Sequence, residues 1–261
     1  MFECHSCSLT VARPLPITEL DFRKMDSIAD AELYAETFKR LHERLLINKE
    51  IREIEKYSKR KNMKLLDVGC GTGWITNIYH KHGFNVTGLE PSKTRAEHAR
   101  INYNIEIISD YIENIEVEKQ FDLVIMRHVI EHFSDPFNII LKAKELLTVN
   151  GLMLVVVPNI NCLGRYIFGT KWTWVLPWHC AFFTPKACKH IFKRSGLTVL
   201  KLYQTPSPLY YPDSFARRFP YKLIVSIVSK YRILLILASS PLAIIGNAIG
   251  LGDNITILAK K

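Results

Sequence analysis

The feature that most constrains the fold is a glycine-rich loop behind a short apolar run, LLDVGCGTGW, at residues 65–74. The apolar run has the length of a buried strand, and Trp74, Ile75, Ile78 and Tyr79 would share one face of a following helix. A glycine loop between a strand and a helix leaves backbone N–H groups open at the helix N-terminus, where a ligand can approach closely. The sequence therefore predicts a strand–loop–helix unit that binds a small molecule.

Strand-like and helix-like segments alternate along most of the chain. Six more strands are predicted, at residues 84–90, 105–109, 121–126, 152–158, 197–203 and 254–260. Helices are predicted over residues 30–61 with Leu45 and Ile51 in the apolar stripe, with Pro91 in a first turn, from Ser134 to Leu147, and after the cap Thr184. An Asn150–Gly151 turn would precede the fifth strand. The alternation predicts an α/β fold with a doubly wound sheet covered by helices on both faces.

Acidic residues follow the predicted strands, and their positions indicate the ligand. Asp67 precedes the loop, where a carboxylate suits an ammonium group and not a phosphate. Trp74 stands where the dinucleotide-binding pattern GxGxxG has its third glycine, so the loop is a poor pyrophosphate cradle. Glu90 can take ribose hydroxyls, and Asp110 can accept a hydrogen bond from an adenine amino group. The predicted ligand is S-adenosylmethionine (SAM), which combines adenine, ribose and a cationic amino-acid tail.

At these residues the chain resembles the class I SAM-dependent methyltransferases. The matching segments are LLDVGCGTG (65–73), GLEPS (88–92), ISDYIEN (108–114) and FDLVIMRHVIEHFSDP (121–136). The resemblance is closest to methyltransferases of bacterial cell-surface polysaccharide clusters and to ubiquinone-type methyltransferases. It implies a Rossmann-like sheet of seven strands, an antiparallel last strand, and SAM as the cofactor.

The resemblance also implies which residues bind SAM. The glycine loop and the acid before it would face the methionine part, the acid after the second strand would take the ribose, and the pair after the third strand would border the adenine. Residues after the fourth strand would lie near the sulfonium. The residues so implied are Asp67, Gly69, Cys70, Gly71, Gly73, Glu90, Pro91, Asp110, Tyr111, Met126, Arg127 and His128.

The segment HVIEH raises the question of catalysis. Methyl transfer mainly needs an aligned acceptor, but a hydroxyl of high pKa also needs a base or a metal. In one interpretation His128 or His179 is a general base; in a second, both of them join Glu131 and His132 around a divalent metal; in a third, Glu131 and His132 only brace the loop. Some ubiquinone-pathway and small-RNA methyltransferases carry an ExxEH metal set here, and His128 replaces its first acid. We therefore assign no metal and take His128 and His179 as the catalytic candidates.

Both ends of the chain carry extensions. FECHSCSLTVARPLP is similar to the tail of a zinc ribbon found in related methyltransferases, but only the Cys4 and Cys7 pair is present. Four thiolates close a structural zinc site and two do not, so we expect a vestigial pair without stable zinc in a monomer, or else a start codon assigned too late. The predicted divisions are an N-terminal extension (1–29), the methyltransferase core (30–205), a hydrophobic insertion (206–252) and the last core strand (253–261).

The hydrophobic insertion has no charged residue from Ile233 to Gly252. By length this stretch could span a bilayer, but a single crossing would put the paired last strands on opposite sides of the membrane. Basic residues nearby favour peripheral membrane contact, and a lid or a dimer surface is the alternative. The basic residues are Arg217, Arg218, Lys222, Lys230 and Arg232.

Composition limits the partners and the compartment. The net charge of +10 favours anionic partners, but no long basic stripe or RNA-binding module is visible, so nucleic acid is not an expected partner. Residues 1–20 lack the apolar region of a signal peptide, and the six cysteines form no disulfide framework. The expected localisation is cytoplasmic, or peripheral at the inner face of the membrane.

An aromatic segment before the sixth strand bears on the acceptor. Trp172, Trp174, Trp178, Phe182 and Phe183 could stack on a sugar or quinone ring, or could pack as a cap over the site. We predict a SAM-dependent methyltransferase that methylates oxygen on a saccharide, a lipid-linked glycan or an isoprenoid-like acceptor. The alternatives are an RNA methyltransferase and a catalytically silent SAM-binding regulator. The oligomeric state is not predicted.

Overall fold

The central element is a seven-stranded sheet, seen in a computed structural model that describes residues 2–4, 7–12, 43–116, 118 and 120–261. Its strands, with three short ones outside the sheet, are β1 Phe2–Glu3, β2 Thr10–Val11, β3 Lys64–Val68, β4 Asn85–Leu89, β5 Glu106–Ile108, β6 Phe121–Arg127, β7 Leu147–Pro158, β8 Ala181–Phe182, β9 Thr198–Thr205 and β10 Asn254–Lys260. The α-helices are α1 Asn48–Tyr57, α2 Trp74–Lys81, α3 Lys93–Tyr103, α4 Pro136–Glu145, α5 Leu163–Phe168, α6 Pro185–Arg194, α7 Tyr210–Arg218, α8 Lys222–Lys230 and α9 Arg232–Ala248.

The strands of the main sheet lie in the order β5, β4, β3, β6, β7, β10, β9. The pairs from β5 to β7 are parallel, whereas β10 is antiparallel to both of its neighbours. Ile257 of β10, for example, lies opposite Val155 of β7 and Leu202 of β9. The predicted doubly wound sheet with an antiparallel last strand and an apolar helical insertion is confirmed.

Apolar side chains cover both faces of this sheet because successive strand residues point to opposite sides. Leu65 and Leu123 belong to a core cluster with residues of α1, α2 and α3. Leu66 and Val124, one position further along the same strands, belong to a cluster with residues of α4 and α6. The carboxyl ends of β3, β4, β5 and β6 are therefore left as the edge where a ligand can bind.

The helix predicted over residues 30–61 is described only in part, since residues 30–42 lie outside the described residues. A π-helical turn at Glu43–Ile47 leads into α1. Ile51 faces the core, but Leu45 is 59% exposed, so its place in the apolar stripe was wrong. A π turn holds more residues than an α turn, so a spacing of 3.6 residues does not apply there.

Two other local predictions were wrong in detail. Pro91 lies before the cap of α3 and not in its first turn, because the Ser92 hydroxyl accepts the hydrogen bond from the Arg95 N–H at 3.2 Å. The Asn150–Gly151 pair lies inside β7, which begins at Leu147. Asn150 has φ +63°, and the register between β6 and β7 shifts in this region, so the sheet absorbs a local irregularity where the sequence predicted a turn.

The N-terminal cysteine pair lies on a small separate sheet in the order β1, β2, β8. Cys4 and Cys7 flank the turn between β1 and β2, where Ser8 N–H donates to the Cys4 carbonyl at 2.8 Å. Burial and the neighbouring Cys4 raise the pKa of the Cys7 thiol. The remnant of a zinc ribbon stays a prediction, as do the three boundaries between the four predicted divisions of the chain.

The insertion between β9 and β10 forms the helices α7, α8 and α9. The last two meet at an angle of 88°. Within the described part of the chain no helix is by itself long and apolar enough to cross a membrane, although α8 and α9 taken together pass on length and composition. The insertion also closes back onto the sheet, because Asp253 N–H donates to the Thr205 carbonyl at 3.0 Å.

Candidate active site

The glycine loop between β3 and α2 is tied to the end of β4. Gly69 N–H and Cys70 N–H both donate to the Leu89 carbonyl, at 2.7 and 3.2 Å. Gly69, Gly71 and Gly73 all have positive φ, which glycine adopts without steric cost. A Cβ built on Gly71 meets nothing within 4 Å, so the backbone there borders open space. The loop therefore leaves room for a ligand to come into direct contact with its backbone N–H groups.

The carboxylate of Glu90 is fixed beside this loop. One of its oxygens accepts from Gly71 N–H at 2.9 Å and the other from Ser92 N–H at 3.0 Å. Each carboxylate oxygen can accept a further hydrogen bond. Glu90 can therefore receive a pair of hydroxyl donors in a fixed orientation, as the 2′ and 3′ hydroxyls of a ribose provide.

Asp67, at the end of β3, is a buried acid with a perturbed pKa. It accepts a hydrogen bond from the Thr76 hydroxyl at 2.6 Å. Burial raises the pKa of Asp67 to about 6, because the Thr76 hydrogen bond and the charge of Arg127 offset only part of the lost hydration. A cationic group bound beside it would stabilise the ionised form. The ammonium of an amino acid is such a group.

A cavity of about 140 Å³ opens at this edge of the sheet. Half of the predicted cofactor-binding residues line it, namely Gly69, Glu90, Pro91, Asp110, Tyr111 and His128. Asp110 is held in the wall because one of its oxygens accepts from Tyr111 N–H and from the Asn114 side-chain amide, both at 2.7 Å.

The other predicted residues do not line this cavity. They are Asp67, Cys70, Gly71, Gly73, Met126 and Arg127. Met126 is fully buried in the core, and the Arg127 guanidinium forms an ion pair with Glu50 of α1. Burial opposes the charge of Arg127, but Glu50 outweighs it and raises the pKa of Arg127 above its usual range.

Sequence reasoning missed Glu50 and part of the cavity wall. Glu50 is 3% exposed and also accepts from the Tyr79 hydroxyl at 2.9 Å. It lies in a highly charged helix, and no local pattern distinguishes it from a solvated acid. The missed wall residues are Val68, Leu89, Arg95, Ile112, Glu113, Val129 and Phe133. Their closeness to the predicted residues in sequence is the only signal that could have found them.

His128, just after β6, is held in an unusual conformation. Its φ is +53°, a left-handed value that is costly for a residue other than glycine and often marks a functional site. Its ring stacks on Trp174, with centroids 4.6 Å apart and an angle of 10° between the planes. Its Nδ1 lies 3.3 Å from Oε1 of Glu131.

Glu131 lies at the centre of a cluster with His132 and His179. One potential ligand atom from each of the three lies within 4.8 Å of the others. Both Glu131 oxygens are buried without a hydrogen-bond partner among the described residues, so the contact with His128 is the main compensation for its charge. Burial would raise the pKa of Glu131, but His128 and the other two imidazoles outweigh it and lower that pKa.

The imidazoles of His132, which is half-buried and lines the cavity, and of His179, which is buried, are suited to act as neutral ligands or bases. Burial lowers the pKa of His179 to about 4, and it also lowers the pKa of His132 despite the nearby Glu131 charge. His179 Nδ1 lies 2.9 Å from the Trp174 carbonyl. If Nδ1 carries the proton, Nε2 keeps its lone pair. A carboxylate with two neutral imidazoles is a donor set that suits a divalent first-row metal.

The fold and the site together define the class of protein. A seven-stranded sheet with an antiparallel last strand carries an open glycine loop after β3, a carboxylate after β4 that is oriented to accept a pair of hydroxyl donors, and a buried acid suited to an ammonium. These groups fit SAM, and the arrangement is that of a class I SAM-dependent methyltransferase.

Comparison with known proteins gives the family. A sequence model described as a methyltransferase domain matches residues 38–202, so the chain belongs to that family. The ubiquinone biosynthesis O-methyltransferase of Pelagibacter ubique is 30% identical over 155 residues, which cover 54% of this chain and 64% of that protein. The enzyme of the same name from Actinobacillus pleuropneumoniae is 35% identical over 101 residues, or 34% of this chain and 43% of that one. The chain thus spans about half the length of the curated relatives it matches.

Solved structures agree on the fold. A SAM-dependent methyltransferase from Archaeoglobus fulgidus has a TM-score of 0.54 and 16% identity, with 85% of this chain and 98% of that one covered. Coclaurine N-methyltransferase bound to N-methylheliamine and S-adenosylhomocysteine (SAH) also has a TM-score of 0.54, with 14% identity and coverage of 82% and 72%. At such identities the likeness concerns the fold alone.

Proposed function

We propose that the protein transfers a methyl group from SAM to a hydroxyl oxygen of a saccharide, a lipid-linked glycan or an isoprenoid-like acceptor. The observation that carries this proposal is the His128–Glu131 pair at the cavity wall. When bound, SAM supplies a methyl group that is already activated as an electrophile. What a hydroxyl acceptor still needs is a group that takes its proton. The relatives are named as O-methyltransferases of ubiquinone biosynthesis, which favours the isoprenoid-like acceptor among the three.

His128 is the base in this proposal. Its Nδ1 faces Glu131, so a proton on Nδ1 leaves Nε2 free to accept the hydroxyl proton. The Glu131 carboxylate stabilises the imidazolium that results, and the stack on Trp174 fixes the plane of the ring. His128 lines the cavity, whereas His179 is 1% exposed and is not part of that wall. His179 is therefore assigned a positioning role through Trp174.

The wall next to His128 also bears on the acceptor. Val129 and Phe133 line the cavity on the same segment. Apolar and aromatic side chains at the reacting end favour an acceptor with a ring face and few charges over a highly anionic one.

The test uses methyl-labelled SAM with an isoprenyl-substituted phenol and, separately, with a saccharide acceptor. His128→Asn is expected to lower kcat by roughly 10²- to 10⁴-fold, the usual size of a general-base contribution. Most of the thermal shift that SAH produces should remain, because this variant leaves the glycine loop, Asp67 and Glu90 intact. His190→Asn, at an exposed position on α6, is the matched control. A His128→Asn enzyme with unaltered kcat would remove His128 as the base, and SAH binding without turnover on any acceptor would favour a silent SAM-binding regulator.

A metal-assisted version of the same reaction is the second candidate. It is favoured by the buried Glu131 oxygens and by the closeness of His132 and His179 to them. In this version the three side chains would hold a divalent cation, which would supply Lewis-acid chemistry by lowering the pKa of the acceptor hydroxyl. Full activity after EDTA dialysis, in protein shown to be metal-free by elemental analysis, would rule out the metal-assisted reaction. Loss of both bound metal and activity in His132→Gln and His179→Gln would favour it over the metal-free base.

A further inference from the structure

The helices α8 and α9 carry a large exposed apolar surface. Fourteen of the twenty large apolar side chains that are strongly exposed in the described residues lie between residues 215 and 249. We call the outward part of this surface the α8–α9 face. Its members are Leu223, Val225 and Ile227 on α8, and Ile233, Leu234, Leu237, Ile244 and Ile245 on α9. An ordinary surface helix would turn these residues inward.

The inward side of α9 is made of small and polar residues. Ala243 is buried in a cluster with Trp172, and a Cβ on Gly246 would lie 2.9 Å from the Cβ of Leu163. Ser239 and Ser240 return their hydroxyls to the Ile236 carbonyl, at 3.0 and 2.8 Å. The backbone of α9 therefore lies close to the core, and its large apolar side chains point away from the core.

The charges around this surface have one sign. Residues 214–252 contain five basic and no acidic residues. Arg232 is paired with Asp213 through two contacts of 2.6 and 2.9 Å, which leaves four basic residues. Those four lie before and along α8, and all are exposed: Arg217, Arg218, Lys222 and Lys230.

Aromatic residues flank α8 as well. Tyr221 precedes the helix with 69% exposure, and Tyr231 follows it with 44% exposure. Lys230 lies over the Tyr231 ring at 5.3 Å, and Arg218 lies over the Phe219 ring at 5.5 Å. Tyrosines beside lysines at the rim of an apolar surface are the arrangement found at membrane–water interfaces, where one end of the side chain is apolar and the other is wet.

The lengths of the helices decide how such a surface can meet a bilayer. At about 1.5 Å per residue, the nine residues of α8 extend about 14 Å and the seventeen of α9 about 26 Å. Each is shorter than a hydrocarbon core of about 30 Å. The strands before and after the insertion are hydrogen-bonded neighbours, so the chain enters and leaves on the same side. The geometry suits helices that lie along the interface.

We propose that the α8–α9 face is a docking surface for bilayers that contain anionic lipids. The apolar side chains enter the headgroup region, and the four basic residues bind the anionic headgroups. A second copy of the chain fits less well, because two such faces would bring eight like charges together. The surface is connected to the candidate active site through α7, which contacts α9 and whose Tyr210 packs on Trp174, a ring that stacks on His128 and His179.

The test is flotation of the full chain with vesicles, without any acceptor or turnover, so its result is independent of the proposed reaction. One set of vesicles is phosphatidylcholine, and the other contains roughly one-third phosphatidylglycerol. We expect flotation with the anionic vesicles at low salt, at least roughly tenfold weaker binding to the neutral ones, and release at high salt. Protein that stays at the bottom with both vesicle types would overturn the proposal, and so would equal binding to both.

Matched variants distinguish binding through the α8–α9 face from nonspecific binding of the protein to vesicles. Leu234→Ser with Leu237→Ser and Ile245→Ser should lower binding roughly tenfold or more, as should Lys222→Glu with Lys230→Glu. The controls change equally exposed residues elsewhere: Leu45→Ser with Ile101→Ser and Val149→Ser, and Lys59→Glu with Lys61→Glu. Binding lost to the same extent in the controls would overturn the assignment. A wild-type dimer that the triple Ser variant turns into a monomer would assign the face to a second copy.

Discussion

At the scale of single residues, Asp67 carries a cost in the ligand-free protein that the ligand would remove. Burial raises its pKa from 3.8 to about 6, so ionising it costs more in the folded than in the unfolded chain. That penalty is fully present above about pH 6 and fades as the pH falls towards the unfolded value. A pKa raised this far lowers the free energy of unfolding by about 3 kcal/mol at neutral pH. Ionised Asp67 therefore destabilises the ligand-free protein, and a bound ammonium group would offset this cost.

Replacing Asp67 by Asn tests this directly. The amide keeps an oxygen for the Thr76 hydroxyl but has no charge to bury. At pH 8 we expect the free energy of unfolding without ligand to rise by up to about 3 kcal/mol, with the difference shrinking towards zero near pH 4. The stabilisation that SAH gives to the wild type should be largely lost. Urea unfolding across pH measures the first effect and calorimetry with SAH the second. Parallel stability curves for the two proteins would contradict the assigned pKa.

Between elements, the glycine loop and the segment after β6 fit closely only because residue 69 lacks a side chain. A Cβ on Gly69 would lie 2.6 Å from Cγ2 of Val129, and its φ is +71°. Gly69→Ala should lower the free energy of unfolding by about 2–4 kcal/mol, from steric overlap together with left-handed strain, and should weaken SAH binding. Calorimetry and urea unfolding measure both effects.

Two variants separate the causes of that loss. Gly83 has φ +87° with nothing within 4 Å of its Cβ position, so Gly83→Ala should cost only the left-handed strain of about 1–2 kcal/mol. Adding Val129→Ala to Gly69→Ala removes the overlap and should restore part of the stability and binding. Equal losses in Gly69→Ala and Gly83→Ala would show that the contact with Val129 has no energetic role.

The elements themselves were largely predictable, because their signals are local. The caps at Asp135 and Thr184 follow from residue type and position, and the structure has both, with hydrogen bonds of 3.2 and 3.1 Å. The irregularity at Asn150 was not predictable from local signals, because it depends on the pairing of β7 with β6. The local spacing did not predict the π turn at Glu43–Ile47 either. For the site, Glu90 and Asp110 follow from strand ends. The Glu50–Arg127 pair joins residues 77 positions apart, and no sequence spacing indicates it.

At the scale of the whole molecule, the insertion packs on residues 172–174 and, through Trp174, supports His128 in the candidate catalytic segment 128–132. The Ser214 hydroxyl lies 3.0 Å from that of Thr173, and Tyr211 packs on Trp172 with ring centroids 5.2 Å apart. The residues that would hold SAM lie instead at and after the ends of β3 to β6, and none of them belongs to the insertion. Cofactor binding and acceptor methylation should therefore depend on the insertion to different degrees.

Excising residues 206–252 and joining Thr205 to Asp253 through a short Gly-containing turn tests that division. The join is feasible because Thr205 and Asn254 are already paired across β9 and β10. We expect the shortened protein to unfold cooperatively and to keep a thermal shift with SAH, because the glycine loop, Glu90 and Asp67 are untouched. Methyl transfer should fall strongly, because Trp174 loses Tyr210 and the stack on His128 loosens. A shortened protein that no longer binds SAH would show that the insertion is integral to the core, and one with unaltered turnover would show that it does not support the catalytic segment.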